Sequence, residues 1–372
     1  MKPKSRYLNA QIQDDLKRKM VFLGGPRQVG KTTLAQSLAR DLKGYLNWDI
    51  PGHRMQILKR ELPNTELWIF DEIHKHRPWR NYLKGLFDEF KGTREILVTG
   101  SARLDLYRRG GDSLQGRYHF LRLHPLSLAE IAGRTESDLL TLMKLGGFPE
   151  PFFSQSETQA KRWSKEYQTR VVQEDIRDLE RVQDLGNLEL LLHRLPEHVG
   201  SPLSLNSLRE DLHVSHRAVS QWMEIFDRTY CIFRLAPFGS PKIRAVKKER
   251  KHYHFDWTLI SDEALRFENL VAVHLQKWIH FQEDVYGKTM ELRYFRDTDR
   301  REVDFVVLEN GKPVQFIECK LSDGEVSSGL RYLKAKFPKV ESIQIALKGQ
   351  KDVVTSDGIS LMPAHRFLAQ LV

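Results

Sequence analysis

Met20-Val21-Phe22-Leu23-Gly24-Gly25-Pro26-Arg27-Gln28-Val29-Gly30-Lys31-Thr32-Thr33 is the stretch that decides the fold. An apolar run ends in paired glycines, and Leu34, Leu38 and Leu42 then recur at helical spacing. From Gly25 to Thr32 the order is G-x-x-x-x-G-K-[ST], placed between a strand and a helix as a phosphate-binding loop requires. Glycines at 25 and 30 let the backbone curl, so that successive N–H groups face phosphate oxygens. The helix N-terminus adds its partial positive charge. Gly25, Pro26, Arg27, Gln28, Val29, Gly30, Lys31, Thr32 and Thr33 are therefore candidate ATP contacts. Lys31 would reach the β- and γ-phosphates, and the Thr32 hydroxyl would hold magnesium.

Downstream, Leu67-Trp68-Ile69-Phe70 is continuously apolar, as a strand covered on both faces must be, and it runs into Asp71-Glu72. A strand end of this kind lies at the carboxyl edge of the sheet, where α/β proteins bind ligands. Asp71 is the candidate for the magnesium shell, and Glu72 for orienting or deprotonating the attacking water. Residues 44–49 read as an intervening strand. A helix should start near Pro78 and bury Trp79, Leu83, Leu86, Phe87 and Phe90. A further strand, 95–101, ends in Thr99-Gly100-Ser101.

These motifs together resemble the AAA-superfamily ATPases of bacteria and archaea that carry a C-terminal domain of unknown function. The resemblance rests on residues 25–33, on Phe70-Asp71-Glu72-Ile73-His74-Lys75 and on Val98-Thr99-Gly100-Ser101-Ala102-Arg103. It extends to Gly116-Arg117, to His124-Pro125-Leu126-Ser127-Leu128-Ala129-Glu130 and to Gly146-Gly147-Phe148-Pro149-Glu150. It implies that Thr99 or Ser101 senses the γ-phosphate; the other reading is that they cap the next turn. It also makes Arg117 the candidate arginine finger or sensor, with Arg103, Arg108 and Arg109 as rivals and a plain surface arginine as the bland reading. A finger supplied in trans would require at least a homodimer. Ser127 and Glu130 form a capping-box pattern that should open a helical lid.

The chain has 372 residues, which suits two or three domains, with 40% hydrophobic and 29% charged residues in the balance of a soluble globular protein. No run approaches the roughly 18 apolar residues of a membrane span, and no signal-type core follows the basic N-terminus. Cys231 and Cys319 are far apart and lack metal-ligand spacing, so a reducing cytoplasm is expected, with no disulfide scaffold or zinc site. The formal net charge of +10 points to polyanionic partners, DNA before an acidic membrane surface.

Residues 203–235 read as helix, turn, helix, strand. Ser215 should cap a second helix that buries Val219, Trp222, Met223 and Phe226 and exposes His216, Arg217, Ser220 and Gln221. This winged-helix-like element either touches DNA or packs on the ATPase and transmits its nucleotide state. Lys242, Arg244, Lys247, Lys248, Arg250 and Lys251 follow as a basic arm or a solvated linker.

Further on, a helix opening at Ser261-Asp262-Glu263 carries Glu268. Strand-like runs at 291–296, 302–308 and 314–320 contain Asp304 and Glu318-Cys319-Lys320, and a helix at 327–337 follows. Period two puts Glu318 and Lys320 on one face. A three-residue loop Asn310-Gly311-Lys312 would set Asp304 opposite Glu318, whereas a two-residue turn would send it to the other face, so the longer, bulged loop is expected. Asp304 and Glu318 could hold magnesium, while Lys320 positions a water or stabilises transition-state charge. The order Glu268, Asp304, Glu318-x-Lys320 resembles the PD-(D/E)xK restriction-endonuclease-like superfamily. That resemblance implies a magnesium-dependent nuclease, and a binding module on the same fold is the alternative.

The expected architecture is α/β: an AAA-type P-loop core with helical lid over 1–185, a winged-helix domain and basic linker over 186–250, and a nuclease-like domain over 251–372. Two functions follow from it. One is an ATPase whose nucleotide state gates DNA binding or cleavage. The other is a signalling switch whose later domains are protein- or DNA-binding modules without nuclease chemistry.

Overall fold

The computed structural model describes residues 5–100, 114–131, 133–176, 184–239 and 250–372. Ser101, Arg103, Arg108, Arg109, Lys242, Arg244, Lys247 and Lys248 therefore lie outside the described residues. The chain forms two compact units: Lys2–Pro125 with Arg228–Tyr230, and Leu126–Asp227 with Cys231–Val372.

The N-terminal unit runs α1 (Asn9–Leu16), β1 (Met20–Gly24), α2 (Lys31–Leu38), β2 (Tyr45–Asn47) and α3 (Pro51–Lys59). It continues with β3 (Leu67–Asp71), α4 (Trp79–Phe90), β4 (Glu95–Thr99) and β5 (Tyr118–Arg122). All strand pairs are parallel, in the order β2-β3-β4-β1-β5. Every residue of β1 and β3 is buried, which explains why both read as unbroken apolar runs. Phe22, Trp68, Phe70, Ile96 and Val98 pack with Trp79, Leu83 and Leu86 of α4, and Phe87 and Phe90 close the edge of that core. Helix α2 is shorter than its leucine spacing suggests: Ala39 turns extended, and Leu42 is exposed beyond the helix end.

The C-terminal unit carries helices α5 (Glu136–Leu145), α6 (Pro149–Ser154), α7 (Glu157–Arg170), α8 (Leu185–Arg194), α9 (Leu205–Asp211), α10 (His216–Arg228), α11 (Glu263–Tyr286), α12 (Ser328–Lys336) and α13 (Ala364–Leu368). Its strands are β6 (Ile232–Pro237), β7 (Lys251–His254), β8 (Met290–Arg296), β9 (Glu302–Glu309), β10 (Lys312–Ser322), β11 (Glu341–Lys348), β12 (Val353–Val354) and β13 (Ser360–Pro363). They join one mixed sheet, ordered β12-β13-β11-β10-β9-β8-β6-β7. Helices α5 to α7, expected as a lid of the nucleotide core, group with this unit.

Three local readings change. Ser127 and Glu130 do form the expected reciprocal contact, the Ser127 N–H donating to the carboxylate at 3.1 Å, but it closes only a single turn, Leu128–Glu130. The next helix, α5, starts at Glu136 behind its own capping pair, Thr135 and Asp138. Glu130 is instead gripped by the buried ammonium of Lys277 from α11.

The β9–β10 connection is the second. It is the two-residue turn Asn310-Gly311, both residues left-handed at φ 52° and 76°, with Glu309 paired to Lys312. That turn alone would send Asp304 to the wrong face, but a bulge between Pro313 and Gln315 moves the register by one residue. Ile317 then pairs with Phe305, and the next step sets Glu318 beside Asp304. The extra residue sits in the strand, not in the loop.

Third, Lys251 is no part of an exposed basic arm, because it is fully buried at the start of β7.

Candidate functional site

The sheet order makes the nucleotide site. Strand β4 lies between β1 and β3, so the carboxyl ends of all three meet. Asn47, Asp71, Thr99, Leu23 and Leu121 form one continuous row across the sheet. Just beyond that row the chain leaves β1 through Gly25, at φ 132°, where a Cβ would lie 2.2 Å from the Leu123 carbonyl oxygen. Gly30 is left-handed at φ 97° and caps α2. The Lys31 ammonium donates to the carbonyls of Gly25 at 2.9 Å and Pro26 at 2.5 Å, inside the loop.

Asp71 is the hub. Its Oδ2 accepts from the Thr32 hydroxyl at 3.0 Å and from the Tyr45 hydroxyl at 2.8 Å. Its Oδ1 accepts from Thr99 at 2.6 Å. Asn47 reaches the Tyr45 hydroxyl at 3.1 Å. Hydroxyl and carboxylate oxygens this close are a hard donor set, which fits magnesium. Glu72, the next residue, is left-handed at φ 57°, and its carboxylate stands 3.4 Å from Lys75 and 3.6 Å from His74. Burial raises its pKa above the ordinary glutamate value; Lys75 opposes that shift, and the neighbouring Asp71 adds to it.

Sequence reasoning missed Tyr45, Asn47 and Arg6. Arg6 donates to the carbonyls of Val29 at 2.9 Å and His124 at 2.5 Å, tying the loop to the strand exit behind it. The hydrophilic members of the short run Tyr45-Leu46-Asn47 were the available signal, since alternate residues of a strand share a face.

Arg117 stands elsewhere. Its backbone oxygen accepts from the Met20 N–H at the amino end of β1, and its guanidinium holds Asp88 through bonds of 2.8 and 3.1 Å. A sensor within the same chain would have to stand at the opposite edge of the sheet, with Gly25, whereas a finger reaching a second copy of the chain is not constrained by this position.

The second predicted constellation does converge. Glu268 comes from α11, Asp304 from β9, and Glu318 and Lys320 from β10. Glu318 Oε1 accepts from the Lys320 ammonium at 2.7 Å, and Asp304 Oδ2 accepts from the Cys319 N–H at 2.9 Å. Two residues of β7 complete the cluster. The Tyr253 hydroxyl donates to Glu268 Oε1 at 2.7 Å, and the Lys251 ammonium lies 3.3 Å from the same oxygen and 2.5 Å from Glu302. Burial, reinforced by the Asp304 charge, pushes Glu268 up to about 7 and Glu318 up to about 8, while burial also raises Asp304. The period-two spacing of Lys251 and Tyr253 was the signal that could have found this face. Among the described residues no group of three or more His, Cys, Asp or Glu side chains is arranged to hold a metal ion.

Helix α10 presents His216, Arg217 and Gln221 to solvent, with Ser220 half-buried against His216 at 3.3 Å. Ser215 caps the helix through the Ala218 N–H at 3.1 Å. Among the described residues no helix is long and apolar enough to cross a membrane.

Comparisons with known proteins divide the chain in three. Residues 17–132 match an AAA domain, residues 136–269 a domain of unknown function (DUF8612), and residues 266–367 another (DUF4143). No curated protein matches the chain. Among solved structures, a Thermotoga maritima protein related to the DNA polymerase III gamma subunit is similar at 12% identity and a TM-score of 0.26, over 60% of this chain and 83% of that one. A Pyrococcus horikoshii signal-transduction ATPase with numerous domains and a tetratricopeptide repeat sensor is 13% identical at a TM-score of 0.25, over 77% of this chain and 48% of that one. The Bacillus subtilis DNA clamp loader delta protein is 11% identical at a TM-score of 0.27, over 59% of this chain and 88% of that one. With its phosphate loop, parallel sheet and Asp71-Glu72 strand end, the AAA-matching segment is an α/β nucleotide-binding unit of the AAA P-loop ATPase type.

Proposed function

We propose that this protein hydrolyses ATP with magnesium at the Lys31–Asp71–Glu72 site, and that nucleotide state controls DNA binding by the C-terminal unit. The observation that carries the first half is the double engagement of Asp71, with Thr32 on one carboxylate oxygen and Thr99 on the other. Thr32 and Asp71 would hold magnesium, which when bound supplies Lewis-acid polarisation of the phosphoryl oxygens. Loop N–H groups from Gly25 to Thr33 and the Lys31 ammonium bind and orient the phosphates. Glu72, made more basic by burial, takes the proton of the attacking water, and Thr99 reads the γ-phosphate through its bond to Asp71.

For the second half, the support is the exposed polar face of α10 and the pairing of β6 with β7. The segment linking those strands in sequence carries Lys242, Arg244, Lys247 and Lys248. We assign residues 186–250 to a winged-helix element and 251–372 to a nuclease-like fold within the same unit. A protein-contact switch is the second reading, favoured by Glu224 on the exposed side of α10, where a carboxylate would repel phosphate.

ATP hydrolysis by wild type, Lys31→Ala and Glu72→Gln tests the first half, which requires hydrolysis to disappear in both variants. DNA affinity across a salt series, for wild type and Arg217→Ala, tests the second. Phosphate contact demands a steep fall with salt and weaker binding by the variant. No DNA affinity at physiological salt, with hydrolysis intact, would transfer the assignment to the protein-contact switch.

A further inference from the structure

The carboxylates of the C-terminal unit are already provided with cations from their own chain. Lys251 is completely buried, and its ammonium stands among Glu268, Glu302 and Asp304 while lying 5.5 Å over the Tyr294 ring. Those carboxylates hold it charged in spite of burial. Further donors also come from within the chain: the Tyr253 hydroxyl shares Glu268 Oε1 with Lys251, the Cys319 amide donates to Asp304 Oδ2, and Lys320 donates to Glu318 Oε1. Glu318 Oε2 is buried with no hydrogen-bond partner. Glu268, Glu302, Asp304 and Glu318 converge here on the two ammonium groups of Lys251 and Lys320. A divalent cation would need several of these oxygens turned toward it, ionised and free of other donors.

We infer that the Lys251 ammonium is the built-in counter-ion of the Glu268–Asp304–Glu318 cluster and excludes the divalent cation that the nuclease resemblance leads one to expect there. Magnesium at Asp304 and Glu318 therefore does not fit this arrangement. The cluster is a closed ion network that ties α11, β7, β9 and β10 together.

Manganese titration followed by electron paramagnetic resonance tests this on the full-length protein without nucleotide. Asp71→Asn serves as the background, so that the ATP site contributes nothing. Expected is no saturable site below about millimolar manganese in that protein, and no change when Asp304→Asn is added. Lys251→Met should then gain a site that Asp304→Asn removes, with affinity at least about tenfold above the background, because one close positive charge has gone. Saturable binding to the Asp71→Asn protein that disappears in Asp304→Asn or Glu318→Gln would overturn the inference. If Lys251→Met fails to fold, the titration of the Lys251-containing protein decides alone.

Discussion

Thr99 Oγ1 donates to Asp71 Oδ1 at 2.6 Å, from neighbouring strands and in the same row of the sheet. The bond fixes the carboxylate plane and leaves Oδ2 turned toward Thr32 and Tyr45. Thr99 is completely buried, so no water can replace its hydroxyl. Thr99→Val keeps the volume and removes the donor, leaving a charged oxygen unpaired. A hydrogen bond to a charged group contributes about 1.5–3 kcal/mol, so hydrolysis should fall by roughly one to two orders of magnitude. Steady-state ATPase rates with a circular-dichroism melt check this; an unchanged rate would leave Thr99 with no role beyond its turn.

Tyr45 offers a finer probe of the same carboxylate. Burial pushes its hydroxyl up to about 12, so it remains a neutral donor across the working pH range. Tyr45→Phe should raise the magnesium concentration needed for half-maximal hydrolysis several-fold, because Asp71 Oδ2 loses the shortest of its three donors, Thr32, Tyr45 and Asn47. Melting temperature should change little, since a half-buried ring keeps its packing. A magnesium titration of the ATPase rate separates this effect from a general loss of activity.

Glu72 should set the acid side of the pH–rate profile. Its pKa is raised by burial, so the rate should climb as the pH passes above the ordinary glutamate range and the carboxylate ionises. Lys75 counters that shift, so Lys75→Ala should move the limb to higher pH, whereas Lys75→Arg should leave it in place. Profiles of kcat for the three proteins decide the matter. A limb that stays put in Lys75→Ala would remove Glu72 from the role of base.

Much of the N-terminal unit was legible because its signals are local. A parallel strand buried on both faces reads as a near-continuous apolar run, as Met20–Leu23 of β1 and Leu67–Phe70 of β3 do, and it turns polar at the carboxyl end where a ligand would bind, at Asp71. Side chains that reach the site from a distance left no such trace. Arg6 bonds Val29 and His124 across a long sequence separation, and nothing in a basic N-terminus says which arginine turns inward. Lys251 misled for the opposite reason: counted with its neighbours it extends a charged run, but the strand face it occupies is buried. The bulge after Pro313 was invisible as well, because Asn310-Gly311 is a strong two-residue turn signal and the compensating residue lies beyond it.

The carboxylate cluster should give the C-terminal unit an alkaline weakness that one substitution removes. Glu318 is raised to about 8 in the folded chain, above its ordinary value. A carboxyl with a higher folded than unfolded pKa contributes stability that is fully present below the unfolded value and is lost as pH rises through the folded one. Buried histidines act at the other end. His252, buried against the Leu195 carbonyl at 2.8 Å, is lowered to about 4, so its contribution is lost as pH falls below about 6.5. Glu318→Gln keeps the shape and stays neutral, so its stability relative to wild type should rise between pH 5 and pH 9. The gain should reach about 4 kcal/mol at most, by the linkage of pKa to free energy over the interval between the ordinary glutamate value and about 8. His252→Gln should leave that alkaline difference untouched and alter only the acid side. Urea denaturation of the three proteins at pH 5, 7 and 9 measures all of this. A Glu318→Gln difference that stays flat with pH would mean the carboxyl is ionised in the fold, paired fully with Lys320.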